Sequence, residues 1–182
     1  MTATRQIVLA LGSNLGDRLA SLQRGLDVLA SDGSLAPTAV SPVYQTAPVG
    51  GPEQDDFYNI VALADSALPA RDILARCAAA EADAARVRTV RWGPRTLDVD
   101  IIACDAEFSD DPQLTLPHPR AHERAFVLAP WLDADPQAVL PGRGPVAALL
   151  TGLGTTGVRR RPELHLAWGP AALAAQPGDT CT

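Results

Sequence analysis

Apolar positions along the chain follow two rhythms, one of strands and one of helices. Gln6 to Leu11 is an apolar run that ends at Gly12 and predicts a first strand. After the turn GSNLGD, Leu19, Leu22, Leu26 and Leu29 recur at the 3.6-residue period, and Asp17 is placed to cap the helix they predict. Ala36 to Gln45 reads as a second strand, in which Pro42, lacking an N–H, demands an edge or a bulge. TAPVGGPEQDD is too rich in Pro and Gly for regular structure and is a loop. Phe57 to Ala64 is a strand that places Phe57 and Asn59 on one face with Val61 and Leu63. Pro69 suits the start of a helix that aligns Ile73, Leu74, Cys77, Ala78 and Glu81. The polar stretch Arg86 to Pro94 is a loop that feeds a strand over Leu97 to Cys104. A turn with Asp105 and Glu107 and a polar connection through Pro112 lead to LTLPHP, held extended by its prolines. Arg124 to Leu132 predicts a helix, and Val146 to Leu150 another.

Strands and helices mix here without βαβ regularity. The fold class that follows is an α+β plait, a mainly antiparallel sheet with helices packed on its faces. Residues 1–161 read as one domain. From Pro162 to Thr182 the chain is rich in Ala and Pro with no clear period, and a loosely held tail is expected there.

Composition narrows the chemistry. With 47% hydrophobic and 20% charged residues the chain reads as soluble and globular. No apolar run approaches the ~20 residues of a membrane span, and the N-terminus lacks the pattern of a signal peptide, so a cytoplasmic protein with no membrane partner is expected. Cys77, Cys104 and Cys181 have no metal-ligand spacing, and any disulfide leaves one over; they read as reduced and structural. A net charge of −6 argues against a surface that grips nucleic acid. All 15 basic residues are arginine. Without a lysine there is no Walker A lysine, no protein-kinase strand lysine and no Schiff base.

The densest chemistry lies in RVRTVRWGPRTLDVDII, Arg86 to Ile102. Side chains alternate along a strand, so Asp98 and Asp100 share one face while Leu97, Val99 and Ile101 take the other. Their backbones are then roughly 6.6 Å apart, close enough to converge on one or two Mg²⁺ ions. Arg86, Arg88, Arg91 and Arg95 just upstream are suited to the phosphate oxygens that such ions leave free. A solvated strand face beside a solubilising charge run is the competing reading; the half-buried strand and the adjoining arginines favour function. Phe57 with Asn59 offers a ring to stack on a flat heterocycle and a carboxamide to read its edge, against the alternative of a core Phe beside a satisfied Asn. GSNLGD lacks the lysine and glycine spacing of a phosphate loop and reads as a tight turn. His118, fixed between Pro117 and Pro119, is either a phosphate contact or a satisfied, partly buried histidine. Trp92 packs, or walls a nucleotide site in a loop that closes on binding.

Taken together, LGSNLGDR, SPVYQTAPVG, the FYN strand, RWGPRTLDVDII and LTLPHPRAHERAFVLAP resemble the 6-hydroxymethyl-7,8-dihydropterin pyrophosphokinases, in family order over roughly residues 5 to 135. The resemblance implies a ferredoxin-like plait and transfer of pyrophosphate from ATP, as co-substrate, to a pterin hydroxymethyl group, with release of AMP, in folate biosynthesis. It implies that Asp98 and Asp100 bind two Mg²⁺ and that Arg86 and Arg95 assist transfer. Arg88, Arg91, Trp92, Thr115, His118 and Arg124 would surround the triphosphate or its nucleoside, with Arg95 also on the nucleotide and Leu74 and Ile101 against the adenine. Thr46, Ala47, Pro48 and Val49 would contact the pterin, Asn59 would read its edge, and Phe57 and Phe126 would sandwich its ring. Glu81 stands where the family carries a helix acid near the site. Phe57 stands where some members have Tyr, Ala78 where some have a polar amide, and Pro119 where others have an aromatic residue. A monomer acting on small molecules, with no nucleic-acid partner, is expected. The rivals are a nucleotidyltransferase, which pairs a Gly-Ser turn with Asp-x-Asp but at close spacing, and an RNA-reading module, disfavoured by 4% aromatic content and the acidic balance.

Overall fold

The computed structural model describes residues 4–48, 53–84 and 96–169. The elements run β1 (Arg5–Ser13), α1 (Arg18–Ala30), β2 (Ala36–Val40), β3 (Val43–Thr46), β4 (Phe57–Ser66), α2 (Ala70–Asp83), β5 (Asp98–Cys104), β6 (Ser109–Asp111) and β7 (Leu114–Leu116). A single 3₁₀ turn, Ala121–Glu123, then precedes α3 (Ala125–Ala134), β8 (Val139–Leu140), β9 (Gly144–Pro145), α4 (Val146–Leu153) and β10 (Val158–Arg161). The main sheet is ordered β10-β3-β4-β1-β5, with β2 also on β4. Every pairing among the described residues is antiparallel. The order β5-β1-β4 followed by β2 and β3, with α1 and α2 on one face, is the expected ferredoxin-like α+β plait.

Both faces of the sheet are buried, which is why its central strands are apolar almost throughout. Ile7, Leu9 and Leu11 of β1 and Ile60, Ala62 and Ala64 of β4 pack with Leu22, Leu26 and Leu29 of α1 and Ile73, Cys77 and Ala80 of α2. The alternate residues Val8, Val61 and Leu63 pack on the other face with Val127, Leu128 and Trp131 of α3 and Val146 of α4. The β1–α1 turn needs Gly16, at φ +62°, in the left-handed region that suits a residue without Cβ. Asp17 caps α1 as its position predicts, its carboxylate accepting from the Ala20 N–H at 3.0 Å.

The strand expected over Ala36 to Gln45 is two strands, both on the same edge of β4. Pro42 has no N–H, and Ser41 makes up for the break: its N–H donates to the Val61 carbonyl at 2.9 Å, and its Oγ accepts from the Val61 N–H at 3.0 Å. In β5, the register with β1 shifts between Val8 and Leu9, so that Ile102 and Ala103 both join the α3 side of the core.

The expectation of a loose tail from Pro162 fails for its first eight residues. β10 pairs with β3, and Leu164, Leu166 and Trp168 then pack against the α1 and α2 side of the core. The period of two in LHLAW is the strand-like signal hidden by the flanking Ala and Pro residues. Trp168 donates its indole N–H to the Leu63 carbonyl at 2.8 Å, beside the Pro37 bulge in β2, and the Gln23 carboxamide both donates to and accepts from Ala167. Residues 170–182 lie outside the described residues. Trp168→Ala should lower stability by about 2 kcal/mol in urea unfolding, less than for a fully buried tryptophan because the ring is only half-buried.

Cys77 and Cys104 are free and buried, and burial pushes both thiols up, Cys104 to about 11, so they stay protonated and inert as expected. Cys181 lies outside the described residues. No helix among the described residues is long and apolar enough to cross a membrane.

Candidate active site

The side chains that carry chemistry collect on the α3 face of the sheet, at the end where β1 runs out toward Ser13. Across this end the register aligns Tyr44 of β3, Asn59 of β4, Gly12 of β1 and Asp98 of β5. Asp100 follows two residues on, opposite Ala10. The alternation predicted for LDVDII holds: Leu97, Val99 and Ile101 are buried against α1 and α2, while both aspartates are half-buried on the other face.

The start of α3 turns cations toward Asp100. Arg124, its N-cap residue, lies with Nη1 3.2 Å from Asp100 Oδ2, and His118 Nε2 lies 3.7 Å from the same oxygen. Both contacts fall on Oδ2, so neither engages Oδ1. The His118 Nδ1 accepts from the Arg120 N–H at 3.1 Å, which places the proton of the neutral ring on Nε2, facing Asp100. Burial chiefly depresses the His118 pKa, Arg124 adds to this and Asp100 opposes it, so the ring is neutral at neutral pH. The His118 N–H donates to the Ile102 carbonyl at 2.8 Å and anchors the PHP segment along the open edge of β5. From the other layer, Glu81 accepts from the Val99 N–H at 2.9 Å, fixing the edge strand between the two aspartates.

The neighbouring corner has different chemistry. Asn59 is 7% exposed and donates to Thr46 Oγ1 at 2.7 Å, so the carboxamide is held in one orientation. Phe57, two residues before it on the same face, is half-buried, as is Phe126 in the first turn of α3. Gly12 forms the floor between Asn59 and Asp98. A Cβ there would stand 2.9 Å from Asn59 Oδ1 and 3.8 Å from the Phe57 ring, so only glycine lets the carboxamide lie against β1. Sequence reading gave Gly12 no part beyond the turn; a glycine closing an apolar strand run was the available signal.

The structure thus brings together Thr46, Phe57, Asn59, Asp98, Asp100, His118, Arg124 and Phe126 on one face. Ala47 is exposed and Pro48 half-buried just beyond β3. Thr115, on β7, directs its hydroxyl to the Asp111 carbonyl at 3.1 Å. Leu74 and Ile101 are not brought onto this face: both pack on the α1 and α2 side, and Ile101 is buried. Val49, Arg86, Arg88, Arg91, Trp92 and Arg95 lie outside the described residues.

Among the described residues no group of three His, Cys, Asp or Glu side chains converges as a metal cage. Two carboxylates on one face instead fit a hard cation that takes its remaining ligands from phosphate oxygens and water, which is the habit of Mg²⁺. The arrangement is chemically divided, with carboxylates and cations for a metal-bound anion beside an aromatic and amide corner for a planar, hydrogen-bonding ring.

The sequence matches the family model described as 7,8-dihydro-6-hydroxymethylpterin-pyrophosphokinase over residues 8–136. A 2-amino-4-hydroxy-6-hydroxymethyldihydropteridine pyrophosphokinase of Mycobacterium tuberculosis is 46% identical over 161 residues, covering 81% of this chain and 84% of that protein. One of the same name from Pseudomonas aeruginosa is 38% identical over 158 residues, covering 87% of this chain and 98% of the relative. Among solved structures, wild-type Plasmodium falciparum HPPK-DHPS with pterin and p-hydroxybenzoate is similar in fold, with a TM-score of 0.60 at 13% identity, over 82% of this chain. This chain spans 42% of that longer one.

Proposed function

The chain belongs to the 7,8-dihydro-6-hydroxymethylpterin-pyrophosphokinase family and is a diphosphotransferase, and on that premise we propose that it transfers pyrophosphate from ATP to 6-hydroxymethyl-7,8-dihydropterin with Mg²⁺, a step of folate biosynthesis. The observation that carries this reading is the juxtaposition on one sheet face of the Asp98 and Asp100 pair, flanked by Arg124, with the Phe57 and Asn59 corner.

Asp98 and Asp100 would hold two Mg²⁺ ions, which when bound supply charge neutralisation along the triphosphate and acidify a nearby hydroxyl. The chain's own groups do the rest. Asn59, pinned by Thr46, presents its amide to the pterin edge, and Phe57 and Phe126 supply ring faces that hold the heterocycle flat. The hydroxymethyl group is thereby aimed at the β-phosphorus. Its oxygen forms the new O–P bond as the bond from the β-phosphorus to the bridging oxygen of the α-phosphate breaks, AMP departs with that oxygen, and the hydroxyl proton passes to solvent water. Arg124 lies beside the carboxylates, ready to move onto a phosphate oxygen, while neutral His118 can donate its Nε2 hydrogen. Arg86 and Arg95 would offset charge on the bridging and terminal oxygens, with Arg88, Arg91 and Trp92 around the nucleotide; their part rests on the sequence motif.

Purified protein incubated with Mg²⁺, ATP and the reduced hydroxymethylpterin should release AMP in step with pterin pyrophosphate. Release of inorganic pyrophosphate instead would mean nucleotidyl transfer and overturn the reading. Gly12→Ala should raise the KM for the pterin about fivefold while leaving that for ATP unchanged, because the new Cβ displaces the Asn59 carboxamide and costs about one hydrogen bond. Steady-state kinetics in each substrate checks this. A cytoplasmic monomer belongs to the same proposal, and sedimentation of the purified chain tests the second half of it.

A further inference from the structure

Tyr44 sits in the strand row that carries Asn59, yet its hydroxyl is engaged elsewhere. It donates to Asp133 Oδ2 at 2.8 Å, and Arg160 Nε reaches the same oxygen at 3.0 Å. Tyr44 and Arg160 face each other across β3 and β10, and Tyr44 and Asn59 across β3 and β4. One carboxylate near the end of α3 therefore gathers three elements at a single point. Tyr44 is 8% exposed; burial chiefly, and the Asp133 acceptor next, push its pKa up to about 12, so its hydroxyl remains a donor at any physiological pH.

The position of Asp133 on α3 gives the contact its reach. Phe126 precedes it by seven residues, which is nearly two turns, so the two side chains leave the helix on nearly the same side about 10 Å apart along the axis. Between them, Val127, Leu128 and Trp131 pack on the sheet through apolar contacts that tolerate small rolls and slides of a helix. A hydrogen bond is directional and does not. With Asp133 held to β3, the helix has one angle and one height above the sheet, and Phe126 at its other end inherits both. β3 is also the strand whose Thr46, two residues beyond Tyr44, holds the Asn59 carboxamide.

We propose that the junction of Tyr44, Asp133 and Arg160 is a positioning device that sets the height of Phe126 above the Phe57 and Asn59 corner, and so fits it to one planar heterocycle. This rests on the reading of that corner as the pterin site. None of the three residues touches the reacting atoms; Tyr44 and Asp133 act through Phe126, and Arg160, more exposed, steadies the carboxylate.

Tyr44→Phe removes one oxygen and leaves the buried ring in place. It should raise the KM for hydroxymethylpterin roughly three- to tenfold, the scale of one lost hydrogen bond, with kcat and the KM for ATP within about twofold of wild type. Asp133→Ala should do the same or slightly more, and the double variant should be no worse than Asp133→Ala alone, since losing that carboxylate already removes the Tyr44 contact together with that of Arg160. A junction that only stabilises the fold would lower the thermal midpoint and leave the pterin KM of Tyr44→Phe at the wild-type value, and that result overturns the proposal. Equal losses for both substrates overturn it too. Should Asp133→Ala fail to fold, Tyr44→Phe alone decides. A wild-type protein that forms no product removes the pterin reading and the proposal with it, whereas an active wild type with an unaltered pterin KM in Tyr44→Phe removes the proposal alone.

Discussion

Asn in place of Asp98 or Asp100 is expected to reduce AMP release by two to three orders of magnitude or more, roughly the effect of removing one electrostatic partner from a preorganised site. The substitution keeps volume and shape, and the backbone pairings of both positions with Gly12 and Ala10 are untouched. What changes is one negative charge where a dication and a triphosphate must be accommodated, and an amide is a poor ligand for Mg²⁺. The variants should unfold within a few degrees of wild type, since the Arg124 contact with Asp100 is half exposed and pairs of that kind contribute little to stability. Turnover at saturating Mg²⁺ and ATP, measured beside thermal unfolding, separates the two quantities. If either variant keeps more than about a tenth of wild-type turnover, its aspartate is not the metal ligand assigned to it.

Loss of the Phe57 ring should weaken the pterin complex by about 1–3 kcal/mol, the scale of one stacking platform. Phe57→Ala is therefore expected to raise the pterin KM by a factor of roughly five to 150 while the ATP KM stays near wild type. Phe57→Tyr retains the face and should stay close to wild type. The alternative is a packing phenylalanine at the head of β4. That role predicts a lower unfolding midpoint and no selectivity between substrates. Titration of the pterin by fluorescence quenching, with and without a non-hydrolysable ATP analogue, distinguishes them.

Much of this face was legible from local sequence because strand alternation assigns a side before any tertiary contact is known. DVDII placed the two carboxylates together, and FYNIVALA placed Phe57 with Asn59. Pro42 announced an edge or a bulge, though not that Ser41 would complete the bonding and divide the strand in two. Local pattern does not say which surfaces meet. The approach of Arg124 to Asp100 depends on how α3 docks, and the Tyr44 bond to Asp133 joins residues 89 positions apart. Resemblance to a family placed Leu74 and Ile101 beside the adenine; strand alternation says only that Ile101 lies on the face opposite Asp100, packed with Leu74 on the α1 and α2 side. LHLAW went unread because five residues of alternation amid Ala and Pro resemble noise until a carbonyl beside Pro37 is found in want of a donor.

The placement of β10 governs how the molecule behaves among its own copies. By covering β3, it leaves Arg159, Arg160 and Arg161 along the sheet's outermost strand. Two molecules approaching margin to margin would crowd guanidinium against guanidinium, and like charges directly opposed across a strand pair repel. Were the chain cut ahead of Val158, the VYQT strand, which carries no charge, would become the border with its backbone groups unpaired, and clumping of the clipped protein would follow.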